Sequence, residues 1–208
     1  VELGENIALS VAQNSLSALY STQDGDIYTM PYTSSEANKV STYSGRVYLN
    51  DISDDGQISV WTTKDNDALT LYLNEDDEKT TLGMIDLKYD SNYDSTYVTF
   101  TNDQNLAVIT NLHGDQLYIK KRGEEAIKVK LGNTLQSATV YTNQGLLSQQ
   151  DSSKVENLYI LVDSDTDNNV YCITLTGERE RVLSKVKFFA ISNGKILYVD
   201  SDSDLYYA

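Results

Sequence analysis

The chain has 208 residues, 40% of them hydrophobic, and its 16 basic and 31 acidic residues give a net charge of −15. Its 11 glycines and single proline exclude a low-complexity linker, and the hydrophobic content suffices for a packed domain. We expect no nucleic-acid partner, because an acidic chain repels phosphate groups, and no direct membrane insertion of this segment, because no apolar run approaches about 18 residues.

Apolar and polar residues alternate with a period of two along most of the chain. Examples in chain order are Arg46-Val47-Tyr48-Leu49, Thr96-Tyr97-Val98-Thr99-Phe100 and Lys195-Ile196-Leu197-Tyr198-Val199. Clusters of Asp, Asn, Gly and Ser interrupt these runs at short intervals. This pattern is typical of short strands joined by hairpin turns, and it predicts an all-β chain.

An apolar residue followed by tyrosine recurs five times, at Tyr28, Tyr72, Tyr118, Tyr171 and Tyr206. The intervals are 44, 46, 53 and 35 residues, which is the period of propeller blades. A second strand precedes each copy across a polar turn. A third strand that carries Lys or Arg follows each of the first four copies.

With one further strand ahead of each copy, these columns predict four-stranded antiparallel blades. We expect one β-propeller domain over residues 1–208, with about five blades at 7–42, 46–83, 96–132, 138–184 and 186–208. Residues 1–4 are the predicted closing strand of the last blade, because Val1-Glu2-Leu3-Gly4 matches Val129-Lys130-Leu131-Gly132. The alternative is that the chain is a segment of a ring of six to eight blades.

Two strands of this repeat, Val60-Trp61-Thr62-Thr63 and Leu197-Tyr198-Val199-Asp200, resemble the Tyr-Trp-Thr-Asp strand of lipoprotein-receptor-type propellers. The latter strand, followed by Asp204-Leu205-Tyr206-Tyr207, is similar to propellers of the TolB-type group on Gram-positive bacterial surface proteins. The resemblance implies an extracellular or cell-surface location, with an anchor in a segment outside this sequence. No copy has the full Tyr-Trp-Thr-Asp motif, so the receptors' ligand-binding role is not transferred.

An insertion rich in Asp and Tyr lies on the predicted connection between the second and third blades. Its candidate ligand-binding residues are Tyr89, Asp90, Tyr93, Asp94 and Tyr97. Tyrosine rings offer stacking surfaces to sugars and peptides. We therefore expect a protein or carbohydrate ligand at this face.

The turn between the second and third strand of every predicted blade is acidic. In the fourth blade Asp163, Asp165 and Asp167 alternate as in calcium loops, but Asn168 stands in the usual glycine position and Thr174 in the position of the bidentate Glu. An EF-hand is thereby excluded. Two interpretations remain: ordinary hairpin-turn chemistry, or a weak Ca²⁺ site. We expect no other cofactor.

Motifs of catalysis are scarce. His113 is the sole histidine, and the chain has neither a Gly-x-Ser-x-Gly elbow nor a glycine-rich phosphate loop. The predicted inner strands Ile7-Ala8-Leu9-Ser10-Val11 and Ala138-Thr139-Val140-Tyr141 contain no acid. We therefore expect a monomeric, non-catalytic extracellular binding module. The alternatives are a glycoside hydrolase-like enzyme with carboxylates on a propeller face, and a structural spacer.

Overall fold

The computed structural model describes residues 8–65, 68–86, 95–112, 114–163 and 168–207, which form five consecutive sheets. The first three sheets have four strands each: β1 (Ala8–Val11), β2 (Ala18–Ser21), β3 (Asp26–Met30), β4 (Asn38–Thr42); β5 (Arg46–Ile52), β6 (Ile58–Asp65), β7 (Ala68–Glu75), β8 (Glu78–Asp86); β9 (Thr96–Phe100), β10 (Leu106–Asn111), β11 (Gln116–Lys121), β12 (Ile127–Lys130).

The last two sheets depart from four strands. The fourth has the order β14-β13-β15-β16-β17, and the fifth has the order β18-β19-β20. Their strands are β13 (Tyr141–Thr142), β14 (Gly145–Leu146), β15 (Asn157–Val162), β16 (Asn169–Thr174), β17 (Arg179–Leu183), β18 (Val186–Ser192), β19 (Lys195–Asp200) and β20 (Leu205–Tyr207). Two 3-10 helices, Leu147–Gln149 and Ser152–Lys154, separate β14 from β15.

Sequential strands pair antiparallel within each sheet, except that β13 lies between β14 and β15 in the fourth. This succession of small antiparallel sheets is the blade architecture of a β-propeller. The predicted fold class, an all-β propeller with about five blades in this chain, is confirmed. The single-domain boundaries and the closing role of residues 1–4 stay predictions, and residues 1–4 lie outside the described part of the chain.

The chain divides into two compact units, Val1–Val98 and Thr99–Ala208, with the boundary inside β9. In the first unit, one core joins the first two sheets through Leu19, Ile27, Ile52 and Trp61, each at most 1% exposed. Burial of such side chains is the main favourable term in folding. These positions are the inward members of the alternating pattern.

The second unit contains two cores. The larger joins the third and fourth sheets and includes Leu117, Ile119, Leu158 and Ile160. The smaller joins the fourth and fifth sheets. Its buried members are Leu161, Val170, Val186, Phe189 and Ile191. Within the described residues, no helix has the length and apolar character needed to cross a membrane.

The five repeated tyrosines lie in the third strand of their sheets (for the fourth sheet, in β16), and each contacts the strand before it. Tyr28 stacks on Tyr20, and Tyr206 stacks on Tyr198, with ring centroids 5.2 and 5.1 Å apart. Tyr72 stacks on Trp61 at 5.7 Å. The tyrosine column therefore joins adjacent strands within a sheet.

Three of the four outer strands carry a β-bulge opposite the tyrosine. The register shifts between Ile27 and Tyr28, between Leu71 and Tyr72, and between Val170 and Tyr171. The extra residues on the outer strands are Val40, Leu82 and Val182. A bulge increases local twist and bends the strand that carries it.

The predicted first strand of the fourth blade, Ala138-Thr139-Val140-Tyr141, is wrong. The strand begins at Tyr141 and turns back at once into β14. The Thr142 hydroxyl accepts the Gln144 N–H at 3.0 Å, and Gly145 has a φ of 142°. This tight polar turn ends the strand and produces the extra hairpin. The first sheet's strand is as predicted over Ala8–Val11, and residue 7 lies outside the described part.

We predict that Leu19→Ala lowers the free energy of unfolding of the first unit by about 2–5 kcal/mol, because it leaves a cavity beside Trp61. Urea denaturation followed by the fluorescence of Trp61, the only tryptophan, measures this change. The matched control is Leu16→Ala, since Leu16 is 79% exposed and the expected change is within about 0.5 kcal/mol. Equal effects of the two substitutions would contradict the assigned core.

Candidate functional site

Four residues of the tyrosine- and aspartate-rich insertion, Tyr89, Asp90, Tyr93 and Asp94, lie outside the described residues. Tyr97 is 47% exposed and lies within β9, as the alternation over Thr96–Phe100 predicted, and not on the connection where we grouped it with the other four. The role of these five residues in ligand binding stays a prediction.

The proposed calcium loop is described only at its first residue. Asp163 follows β15, and its N–H donates to the Thr134 carbonyl at 2.8 Å. Asp165 and Asp167, like His113, lie outside the described residues. Among the residues that are described, no group of three or more His, Cys, Asp or Glu side chains could hold a metal ion. The calcium interpretation stays a prediction.

The fifth acidic turn, between β19 and β20, shows hairpin chemistry. One carboxylate oxygen of Asp200 accepts the N–H groups of Asp202 and Asp204 at 3.0 and 2.9 Å. Ser203 has a φ of 73°, in the left-handed region. In the first sheet Gly25, with a φ of 82°, occupies the same place in the turn before β3. Side chains that accept backbone N–H groups stabilise such turns.

The outward face of the fifth sheet is apolar and exposed. Phe188, Leu197, Leu205 and Tyr207 are 55%, 40%, 66% and 64% exposed. They share one face, because Phe188 pairs with Val199 and Val199 with Leu205, while Leu197 pairs with Tyr207. The opposite face packs against the fourth sheet. Contiguous exposed apolar side chains on a soluble protein mark interaction surfaces.

The last described strand, β20, lies at the edge of the fifth sheet. In the described residues β20 pairs with β19 alone, and no fourth strand covers it. All three β20 residues are exposed, whereas in β11, the equivalent strand of the third sheet, Gln116 through Lys120 are buried. An exposed edge strand offers unpaired backbone N–H and C=O groups to another strand.

Acidic groups lie beside this edge. The charges of Asp200 and, less strongly, Asp204 raise the pKa of Tyr206, whose hydroxyl also donates to Asp200. In the first sheet Asp26 occupies the position of Asp204, since Thr22 N–H donates to the Asp26 carbonyl as Asp200 N–H donates to that of Asp204. Asp26 binds Lys39 of β4 at 2.7 Å.

In two sheets, the turn between the first and second strands contacts a neighbouring sheet. Asp54 accepts the Asn14 N–H at 2.9 Å and thereby joins the second sheet to the first. Asp103 accepts the Ser152 hydroxyl at 2.6 Å and the Ser152 N–H at 3.0 Å, and joins the third sheet to the fourth. Burial raises the pKa of Asp103. The hydrogen bonds from Ser152 and Thr101 lower it by more than burial raises it, so the pKa lies well below its ordinary value.

A shallow depression of about 430 Å³ lies beside the Asp103–Ser152 contact in the second unit. Its lining is polar and of mixed charge. The lining residues are Asn105, Leu106, Lys121, Arg122, Glu124, Ser152 and Ser153.

Asp51 of β5 is an acid that the sequence interpretation missed. Burial raises its pKa to about 6, its hydrogen bond from the Ile52 N–H lowers it, and the charge of Asp54 adds to the increase. A carboxyl group that titrates near neutrality can act as a general acid. The alternation in Arg46-Val47-Tyr48-Leu49 predicts the strand that contains Asp51. It does not predict the burial of Asp51.

No protein family model and no curated protein matches this chain. Among solved structures, a chain of the mitotic checkpoint complex is 14% identical over 96% of this chain and 62% of that chain, with a TM-score of 0.45. TolB from Acinetobacter baumannii is 14% identical, over 97% and 53%, with a TM-score of 0.37. A chain of the nidogen/laminin complex is 16% identical, over 88% and 70%, also at 0.37.

The chain thus spans about three fifths and about half of the length of the first two of these structures. At such identities and scores, nothing about the function of this chain follows from them.

We predict that Asp51→Asn raises the free energy of unfolding at pH 7 by about 1–3 kcal/mol and leaves it nearly unchanged near pH 4. The folded carboxyl holds its proton more tightly than the unfolded one, so the native protein loses stability as pH rises from about 4 to 6. The neutral amide of the Asp51→Asn variant does not titrate, so the variant does not lose stability in this way. Urea midpoints at the two pH values measure the difference.

The matched control for this experiment is Asp77→Asn. Asp77 is exposed in the turn between β7 and β8, where its φ of 67° suits asparagine equally well. We expect little change at either pH. If the stability of the native protein and that of the Asp51→Asn variant changed in parallel with pH, the assigned titration of Asp51 would be refuted.

Proposed function

We propose that this chain is a non-catalytic binding module for a protein ligand and that the fifth sheet is its docking surface. One observation carries the proposal: Phe188, Leu197, Leu205 and Tyr207 form an exposed apolar face of the fifth sheet. Aromatic and aliphatic side chains of this kind form the buried centres of protein interfaces.

Charge indicates the chemistry of the partner. The chain carries −15 net charges, and the turn with Asp200, Asp202 and Asp204 adjoins the exposed face. Complementary charge speeds association and selects partners. The ligand we propose is therefore a protein segment that combines apolar side chains with Lys or Arg.

A carbohydrate ligand at Tyr89, Tyr93 and Tyr97 is the second candidate for binding, since Tyr97 exposes its ring. The enzymatic alternative would use Asp51, which among the described residues is the acid whose pKa is raised toward neutrality. A glycosidase requires a second carboxyl group at about 5–10 Å across a cleft. A spacer role requires no ligand at all. A monomer on the surface of a Gram-positive bacterium remains part of the proposal.

Selection from a displayed library of random peptides tests the proposal. We expect the full chain to enrich peptides with alternating apolar and basic residues. The double variant Leu205→Asp/Tyr207→Asp should lose this binding, because it places charges on the apolar face. Leu16→Asp adds a charge at an exposed site of the first unit and should keep the binding.

Carbohydrate binding is tested in parallel on a glycan array, with and without Ca²⁺. Glycan binding in the absence of any enriched peptide would contradict the proposal. So would peptides that bind the Leu205→Asp/Tyr207→Asp variant as well as they bind the native chain. Cleavage of chromogenic glycosides that is lost in Asp51→Asn would favour the enzyme instead.

A further inference from the structure

The turn between β18 and β19 is the dipeptide Asn193-Gly194, the only Asn-Gly pair in the sequence. Ser192 and Lys195 form the last pair of the hairpin on either side of it. Asn193 has a φ of 50° and Gly194 a φ of 74°, as a two-residue type I′ turn requires. The hydrogen bonds of such a hairpin end at the flanking pair, so the N–H groups of both turn residues point away from it.

The neighbouring sheet accepts both of these N–H groups. Gly194 N–H donates to the Asn143 carbonyl at 2.6 Å, and Asn193 N–H donates to the Gln144 carbonyl at 3.3 Å. Asn143 and Gln144 form the turn between β13 and β14, in the extra hairpin of the fourth sheet. The two hairpin turns are therefore joined through their backbones.

Thr142 fixes the shape of the turn that supplies the acceptors. Its side chain is fully buried. Its hydroxyl accepts the Gln144 N–H at 3.0 Å and donates to the Gly145 carbonyl at 3.3 Å. Side-chain hydroxyls that bond nearby backbone groups stabilise turns. The positions of the Asn143 and Gln144 carbonyls therefore depend on this hydroxyl group.

An asparagine followed by glycine is chemically reactive, because glycine has no side chain to shield its backbone nitrogen. The Gly194 nitrogen attacks the side-chain carbonyl carbon of Asn193, and the new N–C bond closes a succinimide ring. The side-chain nitrogen leaves as ammonia and takes the proton of the Gly194 N–H. Water then opens the ring at one of its two carbonyl groups. One opening gives aspartate, and the other gives isoaspartate, whose main chain runs through the side-chain carbon.

We propose that Asn193 is a site of covalent modification by deamidation, and that the contact between the two turns suppresses the reaction in the folded chain. The attacking atom is the same Gly194 nitrogen whose N–H donates to Asn143. While this hydrogen bond is present, the nitrogen is directed at the Asn143 carbonyl and is held away from the Asn193 side chain. The reaction therefore requires the two turns to separate.

The modification changes the attachment of the fifth sheet to the fourth. Isoaspartate adds an atom to the main chain of the turn, so the two N–H groups no longer align with the carbonyls of Asn143 and Gln144. The step is irreversible, because ammonia is lost. A separation of the turns that is brief in the native chain is thereby made permanent.

The first arm of the experiment compares the folded and the unfolded native chain. Both are incubated in mildly alkaline buffer, one without denaturant and one in guanidinium chloride. Peptide mapping by mass spectrometry follows the conversion of Asn193 to aspartate and isoaspartate. We expect conversion at least tenfold slower in the folded chain. Equal rates would overturn the proposal, and so would an Asn193 that stays intact in the unfolded chain.

The second arm tests the contact between the turns. Thr142→Val removes the hydroxyl and keeps the size of the side chain, and we expect at least threefold faster conversion than in the native chain. Thr142→Ser keeps the hydroxyl and should react at nearly the native rate. Ile160→Val lowers stability within the larger core, away from both turns, and corrects for global unfolding. Conversion in Thr142→Val no faster than in Ile160→Val would overturn the role of the contact.

The third arm tests the consequence by amide hydrogen exchange at Gly194. We expect protection of this amide in the native chain and in Asn193→Asp, whose main chain has the normal length. Chains that contain isoaspartate are separated by chromatography, and their Gly194 amide should exchange at least tenfold faster. Equal protection in the isoaspartate form would refute the proposed loss of the contact.

Discussion

The structure of each blade depends on the contacts of one tyrosine in its third strand. In the first, second and fifth sheets the ring stacks on an aromatic side chain of the preceding strand, as Tyr72 does on Trp61. Where a strand follows, it brings a Lys or Arg to the tyrosine, as Lys79 of β8 lies over Tyr72. These contacts orient the strands on both sides of the tyrosine. The inward residues that alternate with it, such as Leu71, then reach the core.

In the described residues of the fifth sheet, the tyrosine-bearing strand β20 pairs with β19 alone. Tyr206 keeps its stacking on Tyr198 but has carboxylates as its remaining charged neighbours. Leu205 and Tyr207 leave both their side chains and their backbone groups exposed.

Much of the fold followed from the sequence because the tyrosine period and the alternation are local patterns. They identified the strands around Tyr28, Tyr72, Tyr118, Tyr171 and Tyr206, and the cation-bearing outer strands. The hairpin at Tyr141–Thr142 was missed, because a polar turn at Gly145 overrides alternation. The raised pKa of Asp51 and the Asp103–Ser152 contact depend on residues distant in sequence, and local patterns do not encode them. The exposed face of the fifth sheet was also missed, since the alternation of Phe188 and Leu197 does not reveal which face is covered.

Amide hydrogen exchange tests the central claim, that the tyrosine-bearing third strand pairs on both sides in the first sheet and, among the described residues, with β19 alone in the fifth. Ile27 and Thr29 pair with β4, and Leu205 and Tyr207 are their counterparts in β20. The account predicts slow exchange at Ile27 and Thr29. It predicts fast exchange at Leu205 and Tyr207. Protection of Leu205 and Tyr207 in the free protein equal to that of Ile27 and Thr29 would contradict it.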